Sequence, residues 1–342
     1  MPKRRVFIFT LITMLSSFYL TADASITATL DEAEDYLTVN PAQTLLLLDS
    51  ITKPAALAPE LFIRHQVLVL RAAVPTNKMD RLIRALDDIF EHHQHPYFKE
   101  QLTPITSALG IWLRRNNYLN EAISSLECSY KHASTDRQRL TLGNSMALVA
   151  RQLNETEKAR LLFTRARLLA EQTGQIKILA MTENNLGLLA LEQANIALAE
   201  SHFRTALGHY QSSSVRAGQI SAGINLLFTF LVQDDLTSFQ RLYSPTAALT
   251  LSFPNKEKQA LLFWLHTRFE QLQQQPVSDQ IRQQLLDSYQ QIEDAKVQIL
   301  LHRYMATPLQ VNISIAEPAA RPIFDRPWFG NVVQCVWPLP EA

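Results

Sequence analysis

The chain has 342 residues, 47% of them apolar, and its 32 basic residues balance 32 acidic ones. Zero net charge argues against a nucleic-acid partner, which calls for a basic surface. Its 8 glycines form no close cluster, so there is no loop to cradle a phosphate or a dinucleotide.

Residues 1–24 read as a cleavable signal peptide. Lys3, Arg4 and Arg5 form a basic head, Val6 to Leu20 an apolar run, and Ala22-Asp23-Ala24 a small-residue site before Ser25. The run contains Thr10, Thr13, Ser16 and Ser17 and falls short of the ~20 residues that span a bilayer. Cleavage between Ala24 and Ser25, with no stable membrane insertion afterwards, is therefore expected. No cysteine directly follows the run to accept a lipid anchor. The expected location is a bacterial periplasm, with secretion as the alternative, an oxidising setting in either case.

Residues 25–253 carry one pattern six times. It begins at Leu30 (Ala33, Ala42, Leu46, Asp49) and returns at Leu70 (Ala73, Leu82, Leu86, Ile89) and at Gly110 (Leu113, Ala122, Leu126, Ser129). It follows at Ala147 (Ala150, Ala159, Phe163, Ala166), at Leu186-Gly187 (Ala199, Phe203, Ala206), and more weakly at Gly223 (Asp235, Phe239, Leu242). Such spacing describes a helix hairpin. A small residue such as Gly187 lets the first helix approach its neighbour, while Ala199, Phe203 and Ala206 share one face of the second. The slot held by Ala42, Leu82, Ala122, Ala159, Ala199 and Asp235 advances by 36 to 40 residues per copy.

Turn and cap signals agree with these boundaries. Asn40-Pro41 offers an N-cap followed by a first-turn proline, and Asn154 or Thr156 suggests a cap before Ala159. Asn116-Asn117 reads as a turn, and Thr173-Gly174 as a helix end. Charge is uneven along the array: residues 25–60 are acidic and residues 131–177 basic, an asymmetry able to steer a partner.

Residues 254–307 continue the helical spacing and read as a further hairpin and a capping helix. Residues 308–342 gather Pro308, Pro318, Pro322, Pro327, Pro338 and Pro340 with Trp328, Phe329 and Trp337. Helix is disfavoured there. The alternation of Val311, Ile313 and Ile315 and the run from Val332 to Trp337 suggest an irregular tail or a short β-hairpin, packed as a lid or offered to a partner. Cys128 and Cys335 are a candidate disulfide if that tail folds back.

Catalytic signatures are thin. Ser50-Ile51-Thr52-Lys53 matches Ser-x-x-Lys without its companion motifs. His92, His93 and His95 cluster just before Pro96, but adjacent imidazoles diverge by about a hundred degrees on a helix. Cys128 and His132 share a helix face, yet two donors complete neither a metal nor a catalytic site. Glu183, Glu192 and Glu200 are scattered rather than paired. No metal, no cofactor and no enzymatic activity are expected.

The small and large residues at Gly110, Ala122, Ala159, Phe163, Ala166, Gly187, Ala199, Phe203 and Ala206 resemble the tetratricopeptide repeat (TPR) family, whose period is roughly 34 residues. Here the copies run longer, no helix ends in the usual proline, and Asp49 and Asp235 occupy slots usually apolar. The resemblance implies an all-α fold, a right-handed superhelical solenoid of helix hairpins. It also implies a concave groove lined by the first helices, which binds a protein or peptide. Groove positions would then include Arg71, Ser107, Ile111, Arg114, Asn144, Leu148, Arg151, Asn184 and Leu188. Arg71, Arg114 and Arg151 would form a ladder for an acidic segment, and Asn144 and Asn184 would pair with a peptide backbone. A periplasmic scaffold or adaptor in envelope signalling or assembly is the expected role. The alternatives are a solute- or peptide-binding sensor, or the helical accessory part of an envelope enzyme.

Overall fold

At the turn within each hairpin the backbone passes through the left-handed region: Asn77, Asn117, Asn154, Ala194, Asp234 and Gln274 all have φ between 55° and 65°. At each of these turns the next residue's N–H reaches a carbonyl five residues back, as in Glu155 to Ala150, Asn195 to Ala190 and Asp235 to Phe230, each at 2.9 Å. This is the Schellman closure, which satisfies carbonyls that a helix end leaves open. At the first five of these turns the residue making that bond also holds the N-cap position of the following helix, so two helices are joined by the shortest of turns; after Gln274 the next helix is capped later, by Ser278. Asparagine, aspartate and glycine tolerate the left-handed angle; alanine does not. Ala194→Gly should therefore raise the unfolding free energy by about 0.5–1 kcal/mol in urea denaturation, the strain relieved less glycine's entropy cost.

The computed structural model describes residues 24–314 and 322–337, which divide into two compact units. The expected leader lies outside the described residues up to position 23; Ala24 and Ser25, the expected cleavage pair, are exposed at the first described turn of a helix. Among the described residues no helix is long and apolar enough to cross a membrane.

One unit ends at Ala133 and takes in the tail from Pro322. It holds α1 (24–36), α2 (Pro41–Asp49), a 3-10 turn (Pro54–Ala56), α3 (Pro59–Ala73), α4 (Met79–Phe90), α5 (Pro96–Glu100), α6 (Leu102–Arg115) and α7 (Leu119–Lys131). Asn40 caps α2 through the Gln43 N–H, with Pro41 at its first position. That cap sets a register two residues from the expected one: Ala42 and Leu46 are exposed, and Thr44 and Leu48 point inward instead.

The other unit runs from Ser134 to Arg321. It stacks α8 (Asp136–Gln152), α9 (Thr156–Gln172), α10 (Ile176–Glu192), α11 (Ile196–Ser212), α12 (Arg216–Val232), α13 (Leu236–Leu251) and α14 (Lys256–Leu272). All of these except α13 are 17 residues long. Two such helices and two three-residue turns set the long repeat. Phe163, Phe203 and Phe239 are fully buried at the hairpin seams, and a Cβ on Gly187 would lie 2.5 Å from the Phe203 ring. Asp235 does not fill the core slot expected of it. It caps α13 by accepting the Ser238 N–H at 3.0 Å, and Phe239 takes the slot. Asn154 is likewise the left-handed turn residue, not a cap; Glu155 holds the cap position of α9. The unit closes with α15 (Asp279–Tyr289), α16 (Ala295–Leu301), a π-helical turn (His302–Ala306) and α17 (Thr307–Leu309).

Among the described residues the tail forms no strand, so the hairpin alternative is not seen there. Val311 and Ile313 are buried between exposed neighbours, but they pack on helices and find no ladder partner. In the other unit Val332 lies within a short helix, α18 (Phe329–Gln334), which the left-handed Cys335 ends. Aromatic stacking and a covalent bond override the local β propensity here. Trp328 lies flat on Phe90 with centroids 3.9 Å apart, Trp337 meets Phe98 at 5.2 Å, and Arg326 Nε donates to Asp87 at 2.9 Å. Cys335 is disulfide-bonded to Cys128 of α7, with Cα atoms 5.3 Å apart. The bond spans 207 residues of sequence, so Cys335→Ser should lower the unfolding free energy by about 2–4 kcal/mol, a loss that reduction of the native protein should reproduce.

Candidate functional site: the groove of the Ser134–Arg321 unit

The first helices of successive hairpins, α8, α10, α12 and α14, lie side by side in this unit. Neighbouring helices one repeat apart meet at positions that differ by 41 residues. Asn185 Nδ2 donates to Asn144 Oδ1 at 2.8 Å, and Asn225 Nδ2 donates to Asn184 Oδ1 at 3.0 Å. At the same offset, Arg151 Nε in the last turn of α8 donates to Glu192 Oε1 at the end of α10, at 2.6 Å. The amides therefore staple the wall of the groove, which modifies the peptide-pairing role expected of Asn144 and Asn184.

Arg151 is buried, with a side chain 4% exposed. Its second carboxylate comes from far along the chain, Nη1 donating to Asp294 Oδ2 at 3.4 Å. Asp294 caps α16 through the Lys296 N–H at 2.8 Å. Burial pulls its carboxyl upward, but the Arg151 charge and the Lys296 amide prevail and hold it below the usual carboxylate range. Burial likewise opposes the Arg151 charge, and the two carboxylates outweigh it. Lys296 Nζ reaches Asn154 Oδ1, and Arg303 donates to the Glu192 carbonyl at 3.1 Å.

These bonds lay α16 along the groove. Val297 and Leu300 face Leu188 and Leu191 of α10 and Ile224 and Phe228 of α12 across a cavity of about 150 Å³. Asn184, Asn225, Lys258 and Asp294 give the same cavity a polar side. Apolar anchors spaced along a helix with a few oriented polar groups are the features of a helix-in-groove site.

Of the expected groove residues, Asn144, Arg151 and Asn184 come together here. Arg71 and Arg114 belong to the other unit, where Arg71 pairs with Glu34 at 3.2 Å and Arg114 is half-buried in the last turn of α6. The acidic segment expected opposite Arg151 is supplied by the chain itself. Asn185 and Asn225 escaped the sequence reading, and Glu192 entered it only as a scattered carboxylate, although their 41-residue offset is visible in the sequence; Asp294 carries no such signal. Elsewhere in the unit the buried Glu183 accepts from His202 Nδ1 at 2.6 Å and lies 3.6 Å from Arg167, joining α9, α10 and α11. In the other unit, the clustered imidazoles are engaged separately: His92 packs on Phe62, His93 Nδ1 lies 2.8 Å from the Phe90 carbonyl, and His95 caps α5.

The fold is a TPR-like, all-α array of helix hairpins. No family model matches the chain, and no curated protein matches its sequence. Among solved structures it is similar to the Rap conjugation gene regulator of the plasmid pLS20 in complex with the Phr* peptide, at 13% identity and a TM-score of 0.58. That match covers 82% of this chain and 85% of the regulator. It is also similar to aspartyl phosphate phosphatase F from Bacillus subtilis, at 13% identity and a TM-score of 0.48, over 86% of this chain and 97% of that one. Identities this low speak to the fold alone.

Proposed function

We propose that the chain is an exported TPR-like scaffold or adaptor. Its groove, formed by α10, α12 and α14, takes a peptide or protein segment in envelope signalling or assembly. The observation that carries this reading is the occupant already there: α16 enters the groove as a short helix, with an acidic residue on Arg151 and apolar residues at Leu188 and Phe228. A partner built the same way, with an acidic residue ahead of two apolar ones a helical turn apart, would meet the same chemistry. The Rap regulator that shares the fold was solved with a peptide bound, which agrees with a peptide as the ligand. Export rests on the basic head, apolar run and small-residue site of residues 1–24.

The test is capture from a crosslinked periplasmic and envelope extract with residues 25–342, read by mass spectrometry. A partner held by the native chain, held more strongly by Asp294→Ala and lost from the Asn184→Ala, Asn225→Ala double variant supports the groove. A partner held equally by all three places the binding site elsewhere. N-terminal sequencing of the periplasmic protein should begin at Ser25. The partly enclosed cavity favours a second reading, a small-solute sensor, for which a ligand-dependent rise in melting temperature is the expected sign.

A further inference from the structure

We propose that Cys128, His132 and Cys335, once their disulfide is reduced, form a binding site for a thiophilic d10 cation such as Zn²⁺. Cys128 lies in the last turn of α7 and His132, four residues on, is its C-cap, so the two side chains stand on one side of the helix end. The sequence stops at that pair. Folding of the tail adds Cys335, and the two sulfurs and the imidazole then lie within 4.8 Å of one another.

Two thiolates and one imidazole are a soft donor set that suits Zn²⁺ or Cu⁺ and disfavours Mg²⁺ and Ca²⁺, which seek oxygen. With Zn–S bonds of about 2.3 Å, tetrahedral thiolates stand roughly 3.8 Å apart. Once the bond between them is reduced, the two sulfurs are free to move apart toward that spacing. Three protein donors leave the fourth position to water. Cys128 is buried, Cys335 half-buried and His132 exposed, so a cation has an open approach from the histidine side.

The third donor does not depend on the sulfur bond to remain in place. Trp328 stacked on Phe90, Trp337 against Phe98, the Arg326–Asp87 pair and the buried Val332 hold α18 to its unit by packing and charge. Reduction thus frees two ligands that are already gathered. In atoms, a dithiol R(SH)₂ gives two electrons and two protons to the disulfide, becoming its own cyclic disulfide and leaving Cys128 and Cys335 as thiols. Zn²⁺ then displaces both thiol protons to solvent and takes the lone pair of the neutral His132 imidazole. Exchange with a disulfide oxidant, which takes up the two electrons and leaves as a dithiol, releases the cation and re-forms the Cys128–Cys335 bond, so cation binding and the disulfide exclude each other.

The experiment uses the full mature chain, reduced with a phosphine under anaerobic conditions, freed of reductant and titrated with Co²⁺ as a spectroscopic stand-in for Zn²⁺. The expected result is one Co²⁺ per chain, with a near-ultraviolet thiolate-to-cobalt charge-transfer band, and displacement of the cobalt by Zn²⁺. The oxidised chain should show no band. His132→Ala, at an exposed position, should keep the far-ultraviolet circular dichroism of the native chain and weaken Zn²⁺ binding by on the order of tenfold or more. Absence of the band from the reduced native chain would overturn the proposal. So would a His132→Ala variant that binds Zn²⁺ as tightly as the native chain.

Discussion

Arg151→Ala lowers the unfolding free energy by about 3–5 kcal/mol in urea denaturation at neutral pH, as expected when one partner of a buried ion pair is removed. The substitution leaves Glu192 and Asp294 facing each other without the cation that joins them. Asp294 keeps a side-chain exposure of 32%, so water reaches part of the cluster and the loss falls toward the lower end of that range. Asp294→Ala costs less, since Arg151 retains Glu192. A double-mutant cycle between Arg151 and Asp294 should return a coupling of about 1 kcal/mol or more.

The pH dependence has a definite sign. Asp294 is held below its ordinary value in the folded chain, against the upward pull of burial, chiefly by the Arg151 charge. Its contribution is therefore complete above the unfolded carboxylate value near pH ~4 and fades as pH falls through the lower folded value. Asp294→Asn should flatten the stability profile in that acid window only. A loss under about 1 kcal/mol for Arg151→Ala would contradict a buried network of this kind.

Phe203→Ala is expected to cost about 3–5 kcal/mol, the usual range for truncating a fully buried aromatic ring. The ring is wholly shielded and fills the space that Gly187 leaves open. Gly187→Ala tests the same contact from the other side. Its methyl would stand 2.5 Å from the ring, an overpacking that costs about 1–3 kcal/mol and is offset in part by the roughly 1 kcal/mol gain in helix propensity. In a Phe203→Ala background the clash is gone, so the same glycine replacement should become stabilising. Equal penalties in both backgrounds would show that the ring contact is not why a glycine sits at 187.

How far the sequence reveals this architecture depends on where each signal lies. The hairpins at Gly110, Ala147 and Gly187 were legible because their small and large residues alternate within a single turn-to-turn interval, where periodicity alone places the core. The register of α2 was not, because Leu45 to Leu48 form an unbroken apolar run that fits several registers, and the Asn40 cap decides among them. Asp235 misled for a related reason: a cap residue and a core slot four positions later cannot be told apart until the left-handed Asp234 fixes the turn. At the groove, Arg151 and both asparagines were legible as inward positions of first helices, but their partners were not. Asp294 lies 143 residues from Arg151, and no local pattern links positions so far apart. For the tail, propensity left an irregular path and a short hairpin both open, because it says nothing of a disulfide or of a tryptophan stacked on Phe90.

The seating of α16 also fixes how an outside partner would perceive affinity. A segment tethered in the same chain competes at an effective concentration in the millimolar range, whatever the cellular level of the partner. If docking of α16 is favoured by roughly 2.8 kcal/mol, only about one molecule in a hundred presents an empty groove, and any competitor's apparent affinity falls by about a hundredfold. Asp294 thereby acts as a threshold control: replacing it weakens the docking of α16 and increases the fraction of open molecules, while Arg151, which the partner would meet, stays intact.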